Sequence, residues 1–436
     1  MTEANPIAAT PDGFQSVKLG EIAQVDMGQS PDSTYVVEDP FVGYPFLQGN
    51  AEFGPVFPEP RFGCSRPAKI CKANDVLISV RAPVGAVNIA DRDYCIGRGL
   101  AAIRFRSING SLAAELVARQ SVALRRVSQG TTFEAINKSD LLSLSLSLPP
   151  AGEWPQVSRI LDTVDNAISA TEAIVAKLKA VKQGLLHDLL TRGIDANGEL
   201  RPRQTEAPHL YEQSPQGWVP AQWDVRSLST HTASEITYGI VQAGAHVPNG
   251  VPYIRTGDMS GDALVRGSML CTSRRIANSY ARSEVRAGDI VMAIRATVGK
   301  VLPVPCELDG ANLTQGTAKI SPNDNTDRRF LLWAIRHSRT QQVIQREIKG
   351  TTFAEITLGA LRQVPIVAPK RIDEQREIGK RLAAIDKQLQ REQQYLAKCH
   401  SEKTGLMDDL LTGRVRVTSL PIWRSEERRV GKECRS

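Results

Sequence analysis

The chain is written twice. Gly130-Thr131-Thr132-Phe133 returns as Gly350-Thr351-Thr352-Phe353, 220 positions later, and Gly184 to Thr191 (GLLHDLLT) returns as Gly405 to Thr412 (GLMDDLLT), 221 positions later. Val76 to Val87 (VLISVRAPVGAV) returns as Ile290 to Val301 (IVMAIRATVGKV) at an offset of 214. Insertions therefore accumulate in the first part of each copy while its end stays in register. A period this long describes a duplicated pair of domains and excludes a solenoid of short repeats.

Each copy closes on a long helical pattern. From Val157 the apolar residues fall at alternating steps of four and three, through Leu161, Val164, Ile168, Val175, Leu178, Leu185 and Leu189. That spacing predicts a heptad seam. A shift of 221 gives Ile378, Leu382, Ile385, Leu389, Leu396, Cys399, Leu406 and Leu410. Thr171 and Glu392 interrupt the two seams at one matched position, and Lys182 and Lys403 at another. Polar groups there fix register at some cost in stability. Ile160, Ala167, Ile174 and Val181 widen the first stripe, as expected of a helix packed on more than one neighbour. Gly193 and Gly413 follow the Leu-Leu-Thr runs as C-terminal stops. At ~1.5 Å per residue such a helix reaches roughly 50 Å, the length of about 15 base pairs.

The part before each helix reads as mixed strands and turns. Val76–Val80 and Ile290–Ile294 are short apolar runs leading into Arg81-Ala-Pro-Val-Gly85 and Arg295-Ala-Thr-Val-Gly299, as strands entering turns do. Leu144–Leu148 and Val364–Val367 read as last strands before a proline. Gly193 to Gln222, rich in Pro, Gly, Gln and Glu, reads as a linker.

With 41% hydrophobic and 23% charged residues the composition is that of a globular protein, and no apolar run approaches the ~18 needed to span a bilayer. The N-terminus has no apolar core of a secretory signal, so the expected location is cytoplasmic and no membrane contact is expected. The seven cysteines form no C-x-x-C pair and read as reduced thiols. A net charge of +7 and a pI near 9.0 invite a nucleic-acid partner. The charge is uneven: residues 1–152 hold 14 basic against 15 acidic groups, and residues 205–370 hold 18 against 14. Arg424 to Ser436 reads as the translation of a sequencing-adapter oligonucleotide fused at the end of a DNA contig. Without it the net charge is +5.

No catalytic constellation is legible. There is no phosphate-binding G-x-x-x-x-G-K-[ST] loop and no G-x-S-x-G elbow, and no histidine has an i, i+4 partner or a cysteine at metal spacing. No metal site is expected. Pro149-Pro150 lacks the side-chain oxygen and aromatic of an amino-methyltransferase loop. Glu377-x-x-Lys380 lies on the seam helix with no acidic partner for nuclease chemistry.

In this order, and twice, the motifs resemble the specificity subunit of Type I restriction-modification systems. The resemblance reaches to about residue 420 and rests on the doubled Gly-Thr-Thr-Phe, the endings SLSLPP and VPIVAP, Asp373-Glu374-Gln375, the paired GLLHDLLTRG and GLMDDLLTGR, and GWVPAQWDV at 217–225. The first copy keeps Glu153 but has Trp154-Pro155 after it. The resemblance implies an α+β fold of two mixed α/β target-recognition domains joined by two long antiparallel coiled-coil helices, a pseudo-twofold internal repeat. The boundaries are 1–152 for the first recognition domain, 153–192 for the first helix, 193–222 for the linker, 223–370 for the second domain, 371–413 for the second helix and 424–436 for the adapter-like tail.

It further implies a non-catalytic chain that reads a split sequence of double-stranded DNA, one half per domain, with the helices as a ruler between the halves. Two modification subunits would dock on the helices and methylate adenine, and restriction subunits would translocate and cleave. S-adenosylmethionine, ATP and Mg would belong to those partners, and this chain would bind no cofactor. The competing expectation is a coiled-coil scaffold with two protein-binding heads. Polar residues in turns that recur in both copies are the candidate DNA contacts: Gln48 and Asn50, placed opposite Arg255 and Asp258, with Arg81, Arg295 and the hydroxyls of Thr131, Thr132, Thr351 and Thr352. The candidate seam and docking residues are Val157, Leu161, Val164, Ile168, Lys182, Ile378, Leu382, Ile385, Leu389 and Lys403.

Overall fold

The computed structural model describes residues 13–54, 57–108, 110–128, 135–350 and 354–417. Two compact units emerge: one runs to Ile174 and resumes at Glu392, and the other is Val175–Arg391. The division falls inside both long helices, Trp154–Thr191 and Ile372–Leu411. Each unit is therefore one head with a part of each helix. A single heptad stripe cannot bury itself, so it packs with the second helix and with the head.

In the first unit a four-stranded antiparallel sheet runs in the order Ala23–Met27, Leu100–Phe105, Val76–Ser79, Val87–Ile89. Strand alternation divides its side chains between two cores. Val76, Ile78, Ala101 and Ile103 join a cluster with Leu112, Leu116, Val157, Leu161 and Leu410. Leu77, Leu100 and Ala102 face Leu47, Tyr94 and Ile96. A second sheet holds Tyr44–Leu47 parallel to Tyr94–Ile96, and Gln15–Lys18 pairs with Ser145–Leu148.

The second unit repeats the plan. Thr237–Tyr238, Thr317–Ile320, Ile290–Ala293 and Val301–Pro303 form its four-stranded sheet. Val251–Ile254 runs parallel to Asn312–Leu313, and Trp223–Ser227 pairs with Pro365–Pro369. Ile290 and Met292 face Phe330, Trp333, Ile378 and Leu382, whereas Val291 and Ala293 face Ile254, Met259 and Leu313.

The seam residues Val157, Leu161, Ile168, Ile378, Leu382 and Leu389 are buried, and Val164 and Ile385, 221 positions apart, are both half-buried. The expected widening of the first stripe stops short. Ile160 packs against the head core, but Ile174 and Val181 are each 46% exposed. Gly193 and Gly413 end the helices with φ of 64° and 72°, a conformation that glycine adopts without strain.

Residues 193–222, expected as a linker, are ordered within the second unit. They carry the hairpin Tyr211–Ser214/Gly217–Pro220, and Arg201 is buried against Glu374. Ion pairing and hairpin bonds hold a stretch whose composition alone suggests a flexible chain. No helix among the described residues is long and apolar enough to cross a membrane. The two Gly-Thr-Thr-Phe loops, apart from Gly350, and the tail after Val417 lie outside the described residues.

Candidate nucleic-acid interface

In each head four segments are bonded to one another by the same three backbone links. In the first, Val80 N–H donates to Gly99 O at 2.9 Å, Ile136 N–H donates to Val80 O at 2.9 Å, and Gln29 N–H donates to Ile96 O at 3.0 Å. In the second, Ile294 N–H donates to Gly316 O at 2.9 Å, Ile356 N–H to Ile294 O at 3.0 Å, and Ile240 N–H to Leu313 O at 2.7 Å. The turns also approach closely. A Cβ on Gly99 would lie 2.6 Å from Gln48 O, and one on Gly316 would lie 2.6 Å from Thr256 Oγ1. Gln48, Arg81 and Arg98 thus belong to one loop cluster, and Arg255, Arg295 and Gln315 to its counterpart.

The side chains on these clusters differ. Gln48, Arg81 and Arg98 are exposed, and among the described residues their side chains form no hydrogen bond or ion pair. Arg81 sits where the chain forms a bridge to Ala135. In the second head, Arg255 forks onto Asp258 through Nε at 3.0 Å and Nη2 at 2.8 Å. The Asp258 hydrogen bond and burial act on this guanidinium in opposite directions, and its pKa is raised on balance. Arg295 Nη2 donates to Glu355 at 2.9 Å, across a bridge that replaces Arg81–Ala135. Gln315, with its amide nitrogen turned inward, donates to Ile240 O at 2.8 Å and Val241 O at 3.0 Å.

Two positions have exchanged residue types. The first head has Gln48 after its parallel strand and Arg98 in the neighbouring turn; the second has Arg255 and Gln315. The pairing expected between Asn50 and Asp258 does not hold. Asp258 accepts the backbone N–H of Arg255 at 2.8 Å, and it is Glu52 that accepts the corresponding bond, from Gly49 N–H at 3.1 Å. Asn50 is a half-buried residue of that short turn, and Asp258 holds its own arginine rather than facing outward.

Thr131, Thr132, Thr351 and Thr352 lie outside the described residues. The stem of the second loop is fixed: Lys349 and Glu355 exchange backbone bonds at 2.9 and 3.0 Å, and Ala296 N–H donates to Ala354 O at 3.0 Å. That places the stem beside the Arg295 turn. Sequence reading missed Arg98 and Gln315. Their only signal is the adjoining glycine, and the exchange of residue types hides them from a search for identity between copies.

The two seam lysines of the long helices are paired with aspartates. Lys182 Nζ lies 2.5 Å from Asp386 Oδ1 in the second unit, and Lys403 Nζ lies 2.6 Å from Asp165 Oδ1 in the first. Each lysine and each aspartate is 221 positions from its counterpart. Glu374 takes a fork from Arg201 at 2.6 and 3.0 Å and the Trp223 indole N–H at 3.0 Å. Its counterpart Glu153 takes Arg416 Nε at 3.0 Å and Nη2 at 2.5 Å. Trp154, the departure in the first copy, donates its indole N–H to Pro149 O at 2.8 Å, and Gln375 donates to Pro369 O at 2.9 Å. The substitution keeps the bond. Among the described residues no cluster of His, Cys, Asp and Glu could hold a metal ion.

The family model described as "Type I restriction modification DNA specificity domain" matches residues 11–180 and 242–398. A putative type I restriction enzyme MjaX specificity subunit of Methanocaldococcus jannaschii is 36% identical over 190 residues, 42% of this chain and 44% of that protein. The MjaVIII specificity subunit of the same organism is 23% identical over 68% of each chain. The match thus spans less than half the length of the first of these relatives. The crystal structure of the Type I restriction-modification S subunit from M. genitalium superposes with a TM-score of 0.64 at 14% identity, covering 90% of this chain and 95% of that one. That likeness is one of fold.

Proposed function

The chain belongs to the family of Type I restriction modification DNA specificity domains, and from that membership we propose that it recognises DNA sequence within a Type I complex, each head reading one half of a two-part target. The single observation that carries the reading is that the family match covers both heads, at 11–180 and 242–398. Reading an asymmetric target requires two different sets of base-edge contacts. The loop clusters with Gln48, Arg81 and Arg98 in one head and Arg255 and Arg295 in the other supply such a difference.

In this reading Arg255 is the base-reading group of the second head, held in its fork by Asp258, because a guanidinium fixed in orientation discriminates a guanine edge better than a free one. Arg81 and Arg295 take phosphates or guanines, and Thr131, Thr132, Thr351 and Thr352 take phosphates. The long helices form an antiparallel coiled coil with pseudo-twofold symmetry that sets the gap between half-sites. Their matched surfaces would let two copies of one modification subunit dock. Methylation and cleavage would be done by those partners and by restriction subunits, with their own S-adenosylmethionine, ATP and Mg. A near-neutral first head is compatible with this arrangement, since partners can share the neutralisation of phosphates.

Exchange of residues 1–150 for the corresponding head of a relative tests the reading. Mapping methylated adenines in cells that also carry the chain's modification partner should show one half of the motif replaced and the other retained. Replacement of both halves would refute the two-head model.

A further inference from the structure

The two seam lysines do more than interrupt a heptad. Lys182 is on the first long helix and its ion-pair partner Asp386 is on the second. The same ammonium lies 5.1 Å from the ring centroid of Trp333, on the head helix Arg328–Arg336. Arg336 of that helix stacks on the same ring at 4.9 Å and donates to Val301 O at 2.9 Å. One lysine therefore joins both long helices and the head.

The first unit builds the same junction from other residues. Lys403 is on the second long helix, and its partner Asp165 on the first accepts the hydroxyl of Ser111 at 2.5 Å. Ser111 is near the start of the head helix Gly110–Ala118, and its N–H donates to Asp162 at 3.2 Å. Glu115, on that helix, is partly buried; burial raises its pKa, while Arg119 and Lys403 oppose the rise. The groups facing Lys403 are thus Asp165 from the first long helix and Glu115 from the head. Trp333 in one unit and Ser111 with Glu115 in the other are different answers to one geometric demand.

We propose that Lys182 and Lys403 are positioning residues that hold each head on the helical pair, and thereby confine recognition to a single gap length between the half-sites. The inference rests on the two-head reading above. In the second unit the ammonium bonds a carboxylate of the other long helix and lies over a head ring, and in the first the carboxylate that bonds the ammonium also accepts a head hydroxyl, so each ion pair ties three elements together. Two low-exposure ion pairs of this geometry resist sliding, because a shift by one heptad leaves a lysine opposite apolar seam residues and an aspartate without its cation.

The test uses the full chain in complex with its modification partner, in cells lacking other adenine methylation. Single-molecule sequencing reads half-sites and gap together, and thermal unfolding of each purified variant reports folding. Lys182→Met and Lys403→Met keep the side-chain stem and remove the charge. The expected result is unchanged half-site sequences with a roughly tenfold rise in methylation at gaps one base pair from the wild-type length, equivalent to about 1.4 kcal/mol of lost discrimination. The charge exchange Lys182→Asp with Asp386→Lys should restore the single gap. Folded methionine variants that keep the wild-type gap would overturn the proposal. Should the methionine variants fail to fold, the charge exchange decides: methylation at the wild-type gap alone supports the role, and other gaps or no methylation overturn it. Failure of the two-head reading shows separately, as a wild-type motif that is not bipartite.

Discussion

Arg201 and Glu374 form a two-pronged ion pair in which both side chains are at most 8% exposed. The arginine follows the first long helix by ten residues, and the glutamate stands near the start of the second. Removing one partner of a buried pair leaves an uncompensated charge and costs about 3–5 kcal/mol. Its counterpart joins Glu153 to Arg416, whose side chain is 36% exposed, so solvent can take over more of the lost interaction. Glu374→Gln should therefore lower the unfolding midpoint in urea by about three times as much as Glu153→Gln. Equal losses would contradict the assignment of the stronger clamp to the second unit.

The close approach of the recognition turns predicts opposite outcomes for neighbouring glycines. A Cβ on Gly28 would overlap the carbonyl of Gly97, and one on Gly239 would overlap that of Leu313, whereas Gly49 and Gly257 have open space. Gly28→Ala and Gly239→Ala should each destabilise by about 2 kcal/mol or more, and Gly49→Ala and Gly257→Ala should stay within ~0.5 kcal/mol. Calorimetry on the four variants separates crowding from any general intolerance of these loops to substitution.

The fork between Arg255 and Asp258 predicts a lesion confined to one half-site. Arg255→Lys keeps the charge but cannot engage two acceptors in a plane. It should reduce discrimination at one base pair by about tenfold and leave the other half of the motif untouched. Asp258→Asn retains an oxygen for the backbone N–H of Arg255 while removing the countercharge, and should give a weaker loss at the same position. Binding measured on duplexes altered at each base of both halves would show this, and a uniform loss across all positions would contradict it.

His337 predicts the acid side of the stability profile. Burial, followed by the charges of Arg339 and His187, depresses its pKa to about 4, below the ordinary value near 6.5. Between those values the unfolded chain binds the proton and the folded chain does not. The contribution is therefore complete above pH 6.5 and is lost as pH falls from 6.5 toward 4. His337 Nδ1 also accepts the N–H of Arg339 at 3.4 Å, and asparagine can keep that cap. In His337→Asn the fall in melting temperature between pH 6.5 and 5 should be smaller than in the wild type, by about 3 °C. Parallel profiles would exclude His337 as the source.

Much of the architecture was readable because it depends on local periodicity. The seam from Val157 to Leu189 predicted a helix over 153–192, and the helix found is Trp154–Thr191. Val76 to Val80 and Ile290 to Ile294 were legible as strands because apolar runs between turn residues have few other uses. Partners fixed by tertiary topology were not readable. Asp165 and Asp386 lie one residue off the seam, so a heptad search passes over them. Arg201 sits among prolines and glutamines that suggest a loose chain, and only folding brings Glu374 to it. The polar site was the least legible part. Arg98 and Gln315 occupy one structural position with different residues, and comparing the copies for identity discards the very positions at which two readers must differ.

Every lysine–aspartate pair of the long helices draws one member from each copy of the duplication. A polypeptide holding only one copy would carry one such lysine and one such aspartate, and could satisfy both only against a second identical chain, by an isologous contact. With both copies in one chain, each pair is satisfied internally. The two halves then need not be the same, and their surfaces can differ while each lysine keeps its aspartate.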